Sequence, residues 1–154
     1  MQRICFVCTG NICRSPMAEF LFRDLAQRAG LGGAFSVASA AVSAEELGNP
    51  VYPPARRILA AHGIDCRGKT ARQLRPQDAE AFDLFVGMDD SNLRGMRRIL
   101  GPRGAGAHPP AARVRGPARP GGGGPVVHRG YFAAAWADIA AGCAGLLRAL
   151  SPTR

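Results

Sequence analysis

Short apolar runs alternate with three- and four-residue periodicities along this chain, and the alternation predicts its elements. Arg3–Val7 is a compact, mostly apolar run that ends at Cys8 and predicts a buried strand. After a turn containing Gly10, Ser15-Pro16 opens a pattern in which Met17, Phe20, Leu21 and Leu25 recur at helical spacing. This predicts a helix to about Ala29 with one apolar face, proline at its tolerated first position, and a stop at Gly30 to Gly33. Phe35–Ala38 predicts a second strand, and Pro53/Pro54 to about His62 a helix closed by Gly63. Phe82–Met88 predicts a third strand, Ser91–Leu100 a helix, and Tyr131–Leu150 a long final helix. Phe132, Trp136 and Ile139 share one face of that last helix and are assigned to the core.

A β-α-β-α order predicts an α/β fold, a parallel sheet with helices on both faces. Such sheets bind ligands beyond the carboxyl ends of their strands, so the turn after the first strand, residues 8–15, is the first candidate site. Residues 101–125 hold eight Gly and six Pro, and only Ala112-Arg113-Val114 among them suits a short strand. A loop that long in a compact domain is usually functional or disordered. No internal repeat or domain boundary is visible, and 154 residues suit one domain, 1–154.

Composition narrows the partners. The charge is +9, from 20 basic and 11 acidic residues, and all the basic residues except Lys69 are arginine. Arg, Ala, Gly and Pro rise together across the chain, and no run of five like charges occurs, so no nucleic-acid partner is expected. A basic surface still draws anions. The uncharged apolar runs fall far short of a bilayer, so no membrane partner is expected. The first residues lack the apolar core and cleavage site of a signal peptide. Five cysteines, three of them within nine residues, suggest a thiol in use in a reducing, cytoplasmic setting and not a disulfide framework.

Residues 8–15 read Cys-Thr-Gly-Asn-Ile-Cys-Arg-Ser. Backbone N–H groups of such a tight loop converge into an anion nest at a helix N-terminus, formed here by Thr9, Gly10, Asn11, Ile12, Cys13 and Arg14. A cysteine at the start of the loop, Cys8, sits in a positive field that favours thiolate. Arg14 can grip two oxygens of a tetrahedral oxyanion, and Ser15 can donate to the sulfur and help it leave. Together they suit phosphoryl transfer onto sulfur followed by hydrolysis. Metal binding is not expected, because Cys5 and Cys8 point to opposite faces of a strand and no histidine clusters nearby. Cys5, Cys66 and Cys143 are assigned to packing, His62 to a helix end, and Arg94, Arg97 and Arg98 to a solvated helix face.

The string VCTGNICRSPMAE, residues 7–19, resembles the signature of the low-molecular-weight protein tyrosine phosphatases. The resemblance runs on through Ser39, Ala61 to Asp65, Ala71 to Leu74, Gly87 to Asp89, Ser91 to Leu93, and Phe132, Trp136, Ile139 and Cys143. It implies a three-layer α/β/α fold with a four-stranded parallel sheet in order 2-1-3-4. It implies Cys8 as nucleophile, Arg14 as the phosphate-binding arginine, and Asn11 bonded to Ser39 to hold the loop. It also implies a Cys13 that protects Cys8 by reversible disulfide formation. Expected substrates are a phosphotyrosine protein or a small phosphate ester, and no cofactor is called for.

Two departures accompany the match. The family takes its general acid from an Asp-Pro-Tyr-type motif before the last helix, and the corresponding residues here are Gly124-Pro125-Val126. No Asp or Glu occurs from Ser91 to Trp136, which leaves His128, in the same segment, and Asp89 as substitutes. General acid catalysis contributes roughly 10²–10⁴-fold, so its loss implies slow turnover of phosphotyrosine. The substrate rim, often aromatic in relatives, reads Ala44-Glu45-Glu46-Leu47, with Tyr52 as a partial replacement ring. Glu45 and Glu46 would favour a basic substrate flank. The competing readings are a phosphate-binding pseudophosphatase, a phosphoarginine phosphatase (which typically has Thr in place of Ile12), and an arsenate reductase needing a relay of further cysteines.

Overall fold

The computed structural model describes residues 1–101 and 131–151. Three strands form a parallel sheet in the order β2-β1-β3: β1 is Gln2–Cys8, β2 Phe35–Ala41 and β3 Leu84–Gly87. The register pairs Cys8 with Ala41 and Val7 with Gly87, so the carboxyl ends of all three strands lie together at Cys8. This agrees with the expected α/β fold and with the 2-1-3 part of the expected order. The segment suited to a fourth strand, Ala112-Arg113-Val114, lies outside the described residues.

Alternation along β1 sorts the layers, because successive side chains point to opposite faces. Ile4, Phe6 and Cys8 join a core shared with α1 (Arg14–Arg28), α2 (Pro53–Ala61) and the final helix α5 (Tyr131–Leu150). Cys5 and Val7 join a second core with α4 (Asp90–Leu100), and Ala79 of α3 (Asp78–Ala81) packs against it. This gives the three-layer arrangement. The short α3 was not expected from the sequence, since four residues carry no periodicity.

Boundaries moved where tertiary hydrogen bonds decide them. The α1 helix starts at Arg14, which puts Pro16 in its third position. That costs nothing, because the first N–H groups of a helix have no intrahelical acceptor. Phe20 and Leu25 are only partly buried, whereas Ala18, Phe22 and Ala26 are buried. The α1 helix packs on β1 and β2 and also on α5, so its apolar surface is wider than one stripe. The β2 strand runs on to Ala41, and β3 is shorter than the apolar pattern at both ends.

The α5 helix matches its expected range and buries Phe132, Ala135, Ile139, Cys143 and Leu146. Trp136 is only half-buried and lies against the His62 ring, with centroids 4.6 Å apart. By length and composition alone α5 could cross a membrane, although Asp138 and Arg148 interrupt its apolar run, as the expectation of short uncharged runs has it. Its buried stripe packs into the domain core, and its outward positions are largely alanine.

The α4 helix approaches the end of β2 at Gly95. A Cβ there would lie 2.8 Å from Val42 Cγ1 and 3.0 Å from Val42 Cβ. Alanine would improve helix propensity by about 1 kcal/mol. Overpacking against a stiff β-branched side chain costs about 1–3 kcal/mol, so the clash wins. Gly95→Ala is therefore expected to lower the urea midpoint of unfolding, against the usual sign for a helical glycine.

Candidate active site

The loop from Cys8 to Cys13 leaves the central strand and enters α1 directly. Its backbone is held from both sides. Cys8 and Thr9 carbonyls accept from the N–H groups of Val42 (3.0 Å) and Ser43 (3.1 Å), and the Ser43 hydroxyl also donates to the Thr9 carbonyl at 2.9 Å. The Tyr52 N–H donates to the Ile12 carbonyl at 2.8 Å, and Asn92 Nδ2 donates to the Thr9 hydroxyl at 3.2 Å. No side chain caps the N-terminus of α1, whose N-cap is Cys13, and no acidic residue occupies its first turn. That leaves the helix end electrostatically suited to an anion.

Asn11 is the one non-glycine residue with positive φ (58°) among those described, a conformation asparagine tolerates better than most. The turn carries its N–H to Cys8 Sγ at 3.2 Å. Its buried side chain donates from Nδ2 to Ser15 Oγ (2.8 Å) and Ser39 Oγ (2.9 Å), and its Oδ1 accepts from the Arg72 N–H at 3.2 Å. The expected Asn11–Ser39 bond is thus present. Ser15 Oγ lies 2.9 Å from Cys8 Sγ, close enough for the expected hydrogen bond.

Arg14 is 5% exposed, and its Nη1 donates to Asp89 Oδ2 at 2.8 Å. Burial alone would lower its pKa, but Cys8, Asp89 and Tyr131 outweigh burial and hold the guanidinium above its ordinary value. Asp89 is the N-cap of α4 and also accepts from Asn92 N–H (2.8 Å) and Ser91 Oγ (2.7 Å). Burial pushes the Asp89 carboxyl up, and the bonds from Arg14, Ser91 and Asn92 together bring it below the ordinary carboxylate range. As a substitute acid Asp89 is therefore poorly suited, since it is held ionised against the arginine it orients.

The rim residues are gathered as the sequence suggested. A Cβ at Gly10 would lie 3.2 Å from Glu46 Cγ, so the stem of Glu46 lies against the loop. Its carboxylate accepts from Asn49 Nδ2 at 2.7 Å, while Glu45 is exposed. Tyr52 is half-buried with its ring 5.9 Å from that of Phe132, which in turn meets Tyr131 edge-on at 5.2 Å. Gly124 and His128 lie outside the described residues. Cys5, Cys66 and Cys143 are buried, and burial pushes the Cys5 and Cys143 thiols up to about 12.

The sequence reading missed Glu19, Lys69, Arg72 and Asn92. Glu19 carried a signal, being a carboxylate among the apolar positions of α1 and one turn after Ser15. Arg72 acts through its backbone, which no side-chain pattern reveals.

A thiol at the end of a parallel strand, wrapped by a tight loop and faced by a buried arginine at a helix start, is an arrangement suited to a cysteine-based phosphate site. The chain belongs to the low molecular weight phosphotyrosine protein phosphatase family, whose model matches residues 3–107. It is 44% identical over 101 residues to low molecular weight protein-tyrosine-phosphatase YfkJ of Bacillus subtilis, covering 66% of this chain and 65% of that protein. It is 42% identical over 97 residues to the Homo sapiens low molecular weight phosphotyrosine protein phosphatase, covering 63% of this chain and 61% of that protein. The chain thus matches less than two thirds of the length of either relative. In three dimensions the crystal structure of YfkJ superposes with a TM-score of 0.83 at 34% identity, over 97% of this chain and 94% of YfkJ. The Streptococcus pyogenes enzyme SP-PTP gives a TM-score of 0.79 at 28% identity, over 99% and 95%.

Replacing Asn11 separates hydrogen bonding from backbone strain. Asn11→Ala removes three buried side-chain bonds, each worth about 1 kcal/mol net, and adds about 1 kcal/mol of left-handed strain. Asn11→Gly removes the same bonds without the strain. Both variants should unfold at lower urea concentration than the parent, with the alanine variant the less stable of the two.

Proposed function

We propose that the chain is a cysteine-dependent phosphatase that hydrolyses phosphotyrosine or aryl phosphate monoesters through a phosphocysteine. The observation that carries the reading is the setting of Cys8 Sγ, between the Asn11 N–H at 3.2 Å and Ser15 Oγ at 2.9 Å with Arg14 buried beside it. The sulfur attacks phosphorus in line, and the P–O bond to the leaving group breaks. Loop N–H groups and the free edge of Arg14 hold the phosphoryl oxygens as charge shifts among them. Water then attacks phosphorus, the P–S bond breaks, and inorganic phosphate leaves with Ser15 stabilising the departing thiolate.

The residues available favour this reading over a relay reductase, because Cys66 and Cys143 are buried packing thiols on separate segments. Ile12 sets it apart from a phosphoarginine phosphatase, and Glu46 beside the loop supports a preference for basic substrate flanks. Purified protein should release p-nitrophenolate, which leaves without protonation, faster than it hydrolyses phosphotyrosine peptides, and Cys8→Ser should abolish both. Among those peptides, basic flanks should outrun acidic ones and lose that advantage in Glu46→Lys. Gly124→Asp should raise kcat on phosphotyrosine by about tenfold or more. Phosphate binding without Cys8-dependent release would make the protein a pseudophosphatase instead.

The missing acid has a further account, which we infer from the genetic code. Gly124-Pro125-Val126-Val127-His128, read one nucleotide later, can spell Asp-Pro-Trp-Tyr-Thr, an acid-proline-aromatic string of the type the resemblance implies. The family match stops at residue 107, while the last helix resembles the family again, as a paired shift of frame between these points would produce. This requires codons GGA, CCC, GTG, GTA and CAC at 124–128. Sequencing the gene decides the matter, since any other glycine codon at 124 excludes the shifted aspartate.

A further inference from the structure

On the flank formed by α2, the helix and the chain returning from it border a cavity of about 470 Å³ that the proposed chemistry does not use. None of residues 8–15 lines it. Arg56 and Ala60 lie one turn apart on the same face of α2 and form one wall, with Arg57 beside them. Gly63 (φ 73°) then turns the chain back, its N–H bonded to the Ala60 carbonyl at 3.0 Å and the Ile64 N–H to the Leu59 carbonyl at 2.9 Å. Ile64 and Cys66, both buried, supply the apolar floor. Backbone hydrogen bonds thus fix the walls, and the volume falls within the range of small-molecule sites, about 300–1,000 Å³.

Charge decides what this cavity takes. Its third arginine, Arg67, is held by Asp65, with Nη2 2.7 Å and Nε 2.9 Å from Oδ2, so that pair is fixed and neutral. Arg56 and Arg57 are exposed, and among the described residues no carboxylate pairs with either. The Arg56 charge reaches the floor, where it offsets part of the upward push that burial gives the Cys66 thiol. Guanidinium forks grip a carboxylate or phosphate in two places, while an apolar floor gains by being covered. An inorganic anion would meet only the exposed arginines, whose attraction salt screens. A neutral apolar molecule would leave the two adjacent charges unbalanced. We propose that this cavity binds a small amphipathic organic acid, with an anionic head at Arg56 and Arg57 and an aromatic or acyl body over Ile64 and Cys66, at a site separate from the phosphate loop.

The test is calorimetric titration of the full chain with 2-naphthoate, a carboxylate on a rigid apolar body that a phosphatase does not consume. It reads binding alone, so it stands even if the protein proves not to hydrolyse phosphate esters. The parent should bind 2-naphthoate saturably, and about tenfold or more tighter than 2-naphthylmethanol, which lacks the charge, or acetate, which lacks the body. Arg56→Ala should weaken binding about fivefold or more, the lower end for a charge-assisted bond at an exposed rim, and Arg57→Ala should act in the same direction. Ala60→Trp fills the cavity from its wall and should block binding with all three arginines intact. Circular dichroism checks that each variant folds. The loop at residues 8–15 also attracts anions, but naphthoate held there would keep its affinity in all three variants. Full affinity in folded Arg56→Ala or Ala60→Trp would therefore overturn the proposal. So would a parent that shows no saturable binding, or one that binds the alcohol as tightly as the acid, and neither of those results needs a variant.

Discussion

One left-handed asparagine holds the site together. Asn11 turns the chain so that its own N–H meets Cys8, while its side chain ties the loop to α1 at Ser15, to β2 at Ser39 and to the backbone at Arg72. An asparagine side chain offers two protons and an acceptor oxygen, and every one of them is used. The loop is therefore shaped by elements that are already rigid, which leaves its N–H donors aimed without a cost of reorganisation.

The charges around that loop are arranged by burial as much as by proximity. Arg14 and Glu19 are both 5% exposed, and each has an opposite charge within reach, Asp89 for the first and Lys69 and Arg23 for the second. Asp89 does two jobs at once: it caps α4 through the Asn92 N–H and fixes one edge of the Arg14 fork. Packing of α4 against the end of β2, which Gly95 permits, thus sets where Arg14 points. Stability and chemistry share the same contacts here.

The sequence made the loop legible because its chemistry is local. Cys8, Asn11, Arg14 and Ser15 lie within one strand–loop–helix, so spacing alone places them around one hole. The final helix was legible to the residue, since twenty residues of apolar periodicity outweigh any end effect. What escaped was distant in sequence or expressed through the backbone. Lys69 reaches Glu19 across fifty residues, and α3 is four residues long with no pattern to betray it. Asp89 was noticed by position as a substitute acid, but the three donors that favour its carboxylate form are visible only in the folded chain.

Alternating apolar strands and helices determined the layer order, and one short motif determined the candidate nucleophile and the loop around it. Both follow from periodicities and spacings that any segment carries by itself. The tertiary structure alone decided the partners of the Asn11 side chain, the orientation of Arg14, and the partner of the single lysine. Those depend on which buried groups are left without water once β2, α1 and α4 close around the loop, and no stretch of sequence contains that information in isolation.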